Sequence, residues 1–375
     1  MTGRTWAAAF GLTLMTAACG ASDSDEGGET APIKRESVPR NDFTPVEIEA
    51  TIDMLVAEIN ENSIQPMQLT VLMKSLAGYF APIATGANRA MGELGAAGRV
   101  TGNVIGPTDA SAEHMKAMAD QTRQIEQVVT DGAEGIAITP FGEGNVDAID
   151  AAVAEGIPVV TLDVDLTTSK RSIYVGINNT SAGTTAGETL LPMLPRPPGT
   201  VILHGTEDPT WADGVNRTQA AQGVLVKAGY DVLVQPIDYL HEAEDVEALK
   251  AAIEAADTPV VGLLGVFSVS YRCAMAADAA GLSDLPIVAF DFEPQTVGYM
   301  RQGRIKATHV QRQYYAGYLG PYIVYGIKTI GLDATREIVA RQLVDGTRFD
   351  LGVDVVPAEK VDDFNDFLDS IGADQ

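Results

Sequence analysis

Residues able to hydrogen-bond or stack stand at the ends of buried-looking apolar runs. Asp163 directly follows Val159 to Leu162, and Asp291 directly follows Ile287 to Phe290. Asp213 precedes Arg217 by four residues, about one turn of a helix. A carboxylate accepts hydrogen bonds from hydroxyls and an arginine fork donates several, so such residues can fix the orientation of a polyol. Phe80, Trp211 and Tyr239 also follow apolar runs, and flat rings stack on the apolar C–H faces of a sugar ring. Each has a plainer reading on residue type alone: helix N-cap for the aspartates, a solvated bridge for Asp213 and Arg217, and core for the aromatics.

Other chemistries find little support. His114, His204, His241 and His309 are scattered, with no HExxH and no paired-ligand spacing, so no metal site is expected. There is no G-x-S-x-G elbow and no P-loop. Gly142-Glu143-Gly144 lacks the third glycine of a dinucleotide loop and reads as a strand-to-helix turn. The chain is therefore expected to be no enzyme, with no catalytic residue and no cofactor. A net charge of −26, from 51 acidic and 25 basic residues, disfavours a nucleic-acid partner, which needs a basic face.

The elements that would carry these residues repeat one pattern from Gln68 to Asp291: apolar β-branched run, polar loop, amphipathic helix, glycine, apolar run. This is the pattern of parallel strands with helical crossovers. Strands are expected at 69–73, 135–140 and 157–162, then at 200–204, 231–234, 260–264 and 287–290. The helix after the first strand carries Ile83, Ala87, Met91 and Leu94 on one face and stops near Gly95. In the second series, helices are expected at about 213–228, 244–256 and 270–280. Two doubly wound α/β halves place their loops in facing rows at the carboxyl ends of the strands, so the cleft between the lobes is the expected site. Ahead of them, Thr44-Pro45-Val46-Glu47 combines an N-cap, an N1 proline and a capping-box glutamate, opening an extra helix that packs on the outside.

Arg4, the apolar stretch from Trp6 to Met15 and Ala17-Ala18-Cys19 resemble a bacterial lipoprotein signal. The apolar run is too short for a spanning helix, which needs about 20 residues. Residues 1–18 are expected to be removed and Cys19 lipidated, giving an extracytoplasmic body anchored to a membrane. Ala21 to Asp42 is rich in Gly, Ser, Asp, Glu and Pro and reads as a flexible tether. Once Cys19 is lipidated only Cys273 remains, read as a small buried hydrophobe.

From about Pro66 to Ile330 the chain resembles the extracytoplasmic sugar-binding proteins of the ribose/galactose type, which feed ABC importers. Five strings carry the resemblance: 73–80, Ile157-Pro158-Val159-Val160-Thr161-Leu162-Asp163, Gln235-Pro236-Ile237-Asp238-Tyr239, Val288-Ala289-Phe290-Asp291 and Ala307-Thr308-His309-Val310-Gln311. The stretch from Trp211 to Arg217 adds the spacing of the hexose-binding members. The resemblance implies the type I periplasmic binding protein fold, with two doubly wound parallel-sheet lobes and a three-segment hinge. It places the first lobe at 66–177 with 311–341 and the second at 178–310 with 342–375, preceded by a tether at 19–43 and the extra helix at 44–65. The hinge crossings fall near 176–178, 308–311 and 342–349.

The resemblance also implies a site in which Phe80 and either Tyr239 or Trp211 sandwich a monosaccharide. Asp163, Asp213, Arg217, Asp291 and Gln311 would satisfy its hydroxyls, and Ser270 or Ser268 would replace the family's asparagine. Gly78, Ala81 and Val164 stand where ribose binders carry asparagine, phenylalanine and arginine. Such a pocket is not tuned for ribose, which leaves a hexose, another pentose or a less polar compound. The expected partners are that ligand, an ABC permease and, through the lipid, a membrane, with the protein itself monomeric. A chemoreceptor or sensor-kinase input would use the same fold and ligand.

Overall fold

A computed structural model describes residues 31–62, 66–108 and 114–373. The expected leader, Cys19 and the first part of the expected tether lie outside the described residues, as do the side chains of His114 and Met115.

The described chain opens with a strap rather than a loose tether. Ile33 and Val38 are 4 % and 3 % exposed. The Arg35 guanidinium binds Glu49 and Asp53, Arg99 donates to the Ala31 carbonyl, and Arg89 donates to that of Glu36. A polar segment with few apolar residues thus packs because its arginine and two aliphatics meet partners far along the chain. Phe43 then packs edge-on against Phe364 at 4.9 Å. Next comes α1 (Val46–Glu61), whose N-cap is Pro45 without a side-chain cap. The expected capping box does not form, because the Thr44 hydroxyl accepts from the Asn41 amide at 2.9 Å and donates to the Pro39 carbonyl, facing the preceding turn instead of the helix.

The first lobe follows with β1 (Met67–Leu72), α2 (Ala81–Ala96), β2 (Val100–Thr101), β3 (Val104–Ile105), α3 (His114–Thr130), β4 (Gly135–Ile138), α4 (Val146–Ala154), β5 (Val159–Leu162) and β6 (Ile173–Gly176). Ile83, Ala87 and Leu94 of α2 are fully buried, as their spacing predicts. The second lobe holds α5 (Asn179–Leu190), β7 (Thr200–Gly205), α6 (Ala212–Lys227), β8 (Asp231–Pro236), α7 (Glu242–Ala255), β9 (Val260–Gly265), α8 (Tyr271–Ala279), β10 (Ile287–Phe290), α9 (Pro294–Arg301) and β11 (Ile305–Val310). Cys273 on α8 is fully buried.

The chain then returns to the first lobe with α10 (Gln313–Ile330), α11 (Leu332–Ile338), β12 (Leu343–Val344) and β13 (Arg348–Asp350). It ends in the second lobe with β14 (Asp354–Pro357) and α12 (Val361–Ser370). Two sheets result. One runs β12-β13-β6-β5-β4-β1-β2, with β3 also on β1, and the other runs β14-β11-β10-β9-β7-β8. Pairing is parallel except for β12 with β13 and β14 with β11. This is the two-lobe, doubly wound architecture expected from the type I periplasmic binding protein resemblance. Helices α2 and α10 approach so closely that a Cβ on Gly317 would lie 1.8 Å from the Ile83 carbonyl oxygen.

One boundary moves. Because β13 pairs in parallel with β6, residues 342–350 belong to the first lobe and the third crossing is Leu351 to Val353, not 342–349. Hydrogen bonds tie the crossings together. Asp350 Oδ1 accepts from the amides of Asn178 (3.0 Å) and Gly352 (2.9 Å), and Arg312 donates to the Leu351 carbonyl (2.7 Å) and to Asp354.

Candidate functional site

Strand-end residues from both sheets converge between the lobes. Asp163, after β5, has φ +66°, and Asp291, after β10, has φ +64°. A left-handed backbone at a non-glycine residue is uncommon and costs free energy, and such strain concentrates at functional sites. The Asp163 carboxylate accepts from the Tyr79 hydroxyl at 2.7 Å. That of Asp291 accepts from Gln311 Nε2 at 2.9 Å.

Burial drives the electrostatics. Desolvation raises the pKa of Asp163, opposed by Lys74, Tyr79 and Arg217. It pushes Asp291 up to about 7, opposed by Arg217 and Gln311, and Asp213 up to about 6, opposed by Arg217. Lys74 moves down because its ammonium is desolvated, with Asp163 of its own lobe and Asp213 of the other pulling it back. The charges of the two lobes therefore feel one another across a shared cleft. His309, beneath the second wall, is held down to about 4 by burial.

Aromatic rings line both walls. Phe80 is half-buried and packs edge-on against Tyr79 at 5.0 Å. The Lys74 ammonium lies 5.4 Å from the ring centres of both Phe80 and Phe141. On the other lobe Trp211, Tyr239 and Phe267 form a cluster with centroids 5.6 to 5.9 Å apart. Trp211 and Tyr239 remain 41 % and 37 % exposed, leaving surface for a ligand.

One plainer reading falls and one expectation changes. Arg217 is not bridged in solvent to Asp213: it is 4 % exposed, and Nε and Nη2 donate to Asn179 Oδ1 while Nη1 donates to the Val266 carbonyl. Its guanidinium lies 4.6 Å from the Phe290 ring centre and 5.3 Å from that of Phe267. Three of the five N–H donors of a guanidinium are used in this way. Ser270 is fully buried, its hydroxyl donating to the Phe267 carbonyl and accepting from the Phe290 amide at 3.2 Å. Its one donor is spent on the wall and its side chain is wholly enclosed there, so Ser270 offers nothing to the cleft. The other expected residues form one linked set of neighbours: Phe80 beside Lys74, Lys74 facing Asp163 and Asp213, Arg217 facing Asp163, Asp213 and Asp291, Gln311 on Asp291, and Trp211 on Tyr239.

Lys74, Tyr79, Phe141, Asn179 and Phe267 were missed from sequence. For Lys74 a signal existed, since it stands just past the buried run of β1 as Asp163 does past β5. Asn179 and Phe267 had none, because their importance lies in contacts with Arg217. Hollows of about 520 and 440 Å³ lie elsewhere, one beside the strap and one between α1 and α11. Neither is lined by strand-end residues.

The model of the periplasmic binding protein domain family matches residues 69–330. Among solved structures, GanP, a glucose-galactose binding protein from Geobacillus stearothermophilus, is 23 % identical with a TM-score of 0.61, covering 79 % of this chain and 99 % of its own. AraP, an arabinose binding protein from the same organism, is 21 % identical with a TM-score of 0.63, covering 80 % and 99 %. A periplasmic ribose ABC transporter protein from Conexibacter woesei is 16 % identical with a TM-score of 0.68, covering 81 % and 96 %. No curated protein matches.

Proposed function

The chain belongs to the periplasmic binding protein domain family, and from that premise we propose that it is a non-enzymatic solute-binding lipoprotein. It captures a monosaccharide-like ligand between its lobes and delivers it to an ABC import permease. What supports this reading is that Asp163 and Asp291, both strand-end aspartates in left-handed turns, lie close enough to feel each other's charge, beside Tyr79 and Phe80 of one lobe and Tyr239 and Trp211 of the other. Carboxylates and the Lys74 ammonium serve hydroxyls, while Phe80 and the Trp211 and Tyr239 rings cover C–H faces. The names of the like-folded proteins, which bind glucose, galactose or arabinose, agree with that ligand class. Three acidic side chains against Lys74 and a largely committed Arg217 favour a neutral polyol over a sugar acid. Cys19 would hold the protein at the outer face of a membrane.

Trp211 makes the test direct. With the signal removed it is the sole tryptophan of the chain, and it sits 5.6 Å from Tyr239. Titration with pentoses, hexoses and cyclitols should give a saturable emission change with one of them at micromolar concentration. A flat response confirmed by calorimetry would remove the sugar assignment. Copurification with a permease, rather than with a receptor or kinase, would test delivery.

A further inference from the structure

The two site aspartates share more than their backbone conformation. In the first lobe, the Tyr174 hydroxyl on neighbouring strand β6 lies 3.1 Å from the Asp163 carbonyl and accepts from the Ile177 amide at 3.2 Å. Ile177 directly precedes Asn178, where the chain crosses to the second lobe. In the second lobe, the Thr308 hydroxyl on neighbouring strand β11 donates to the Asp291 carbonyl at 2.6 Å. Strand β11 then runs into Gln311, whose amide holds the Asp291 carboxylate, and into the second crossing. Each lobe thus has a strand-end aspartate in a left-handed turn, a buried hydroxyl on the adjacent strand at its carbonyl, and an interlobe crossing directly after that strand.

The surroundings are built for these hydroxyls. Tyr174 and Thr308 are 1 % and 0 % exposed. Gly176 leaves room for the Tyr174 hydroxyl, which a Cβ there would meet at 2.0 Å. The guanidinium groups of Arg171 and Arg348 each lie 5.8 Å from the centre of the Tyr174 ring, and each is paired with Asp165. A left-handed turn at a non-glycine residue persists only where its surroundings hold it.

We propose that Tyr174 and Thr308 are matched positioning residues, each fixing the turn that aims one ligand carboxylate into the cleft and tying that turn to an interlobe crossing. The inference rests on the ligand-binding reading of Asp163 and Asp291. A ligand that draws on either carboxylate then pulls on a hinge strand.

The test is calorimetry on the full-length protein with D-glucose, D-galactose, L-arabinose, D-xylose, D-ribose and myo-inositol. Tyr174→Phe keeps the ring beside its two arginines and removes only the hydroxyl, and Thr308→Val is close to isosteric. Each should weaken the sugar bound by the parent protein by several-fold to about tenfold, and Thr308→Ser, which keeps the hydroxyl, should restore it. Parent affinity in both variants, with only a lowered melting temperature, would reduce the hydroxyls to structural braces and overturn the proposal. If the parent protein bound none of the six, the sugar assignment would fail, and the positioning role argued for sugar hydroxyls on these two carboxylates would fail with it. Hydrogen exchange without ligand would still judge the tie: Tyr174→Phe should speed exchange of the Ile177 amide, and unchanged exchange would refute the link to the crossing.

Discussion

On the first lobe Lys74 and Asp163 stand half-buried at the cleft, with one hydrogen bond from Tyr79 to the carboxylate and two rings beside the ammonium. On the second lobe Arg217 and Asp291 are 4 % and 2 % exposed and bound to Asn179, Val266 and Gln311 before any ligand arrives. The first wall offers charge not yet committed, whereas the second offers a fixed polar frame under three packed rings. Preorganised groups lose little freedom on binding, while uncommitted charges gain most from a ligand. The same residue types therefore have different consequences when removed from the two walls.

The largest effect should come from behind the first wall. A chain beginning at Asp42 lacks Ile33, Val38 and Arg35 and leaves Glu49 without its guanidinium partner. Two buried aliphatic side chains and a broken partly buried ion pair together amount to about 5 kcal/mol. Denaturant unfolding should show a loss of that order, while the fraction still folded keeps its sugar affinity, because the strap touches no cleft residue. A loss of affinity without a loss of stability would mean that the strap acts on the cleft directly. Phe43→Ala should cost less, since it removes one partly buried ring and its contacts with Phe364 and Phe367 on α12.

Next in size is Arg217→Met, which keeps most of the aliphatic volume but strands Asn179 Oδ1 and the Val266 carbonyl. Stability should fall by about 3 kcal/mol, with sugar binding abolished. On the opposite wall Lys74→Met removes a desolvated ammonium. Affinity should drop about thirtyfold, near 2 kcal/mol for a charge-assisted bond, with the melting temperature unchanged or raised. Equal destabilisation by the two substitutions would erase the distinction between the walls.

How much of this was legible in the sequence follows the reach of each interaction. Apolar runs and glycines mark the central strands of both sheets, because strand and helix patterns are local, but not the short or late-joining β2, β3, β6, β12 and β13. The positions of Asp163 and Asp291 could be read because each ends a buried run. Arg217 was visible but its partner was not, since Asn179 lies 38 residues away. The strap reads as a linker by composition, and the partners that make it pack, Glu49, Asp53, Asn60, Arg89, Arg99 and Tyr318 among them, lie elsewhere in the sequence. Strand β13 is three residues long, too short for a pattern to show which sheet it joins. Ser270 shows the converse case, a polar residue type suited to a ligand but spent on the Phe267 carbonyl and the Phe290 amide.

The smallest expected effect separates the walls by pH. Asp291 and Asp213, raised to about 7 and about 6, hold protons in the folded protein that the unfolded chain releases near 4. Their contribution to stability is therefore present in full at low pH and is lost as pH rises through 6 and 7. His309, lowered to about 4, acts oppositely, and its contribution is lost as pH falls from about 6.5 towards 4. Ligand hydroxyls donate best to ionised carboxylates, so binding should expel protons and tighten with pH, by about tenfold between pH 6 and 8 for a group titrating near 7. Asp291→Asn should flatten that profile. Asp163→Asn should flatten it less, because burial raises the Asp163 carboxyl against the opposing pull of Lys74, Tyr79 and Arg217, which favour its ionised form. Calorimetry in two buffers of different ionisation enthalpy would count the released protons, and equal flattening by both substitutions would mean that the two carboxylates titrate as one unit across the cleft.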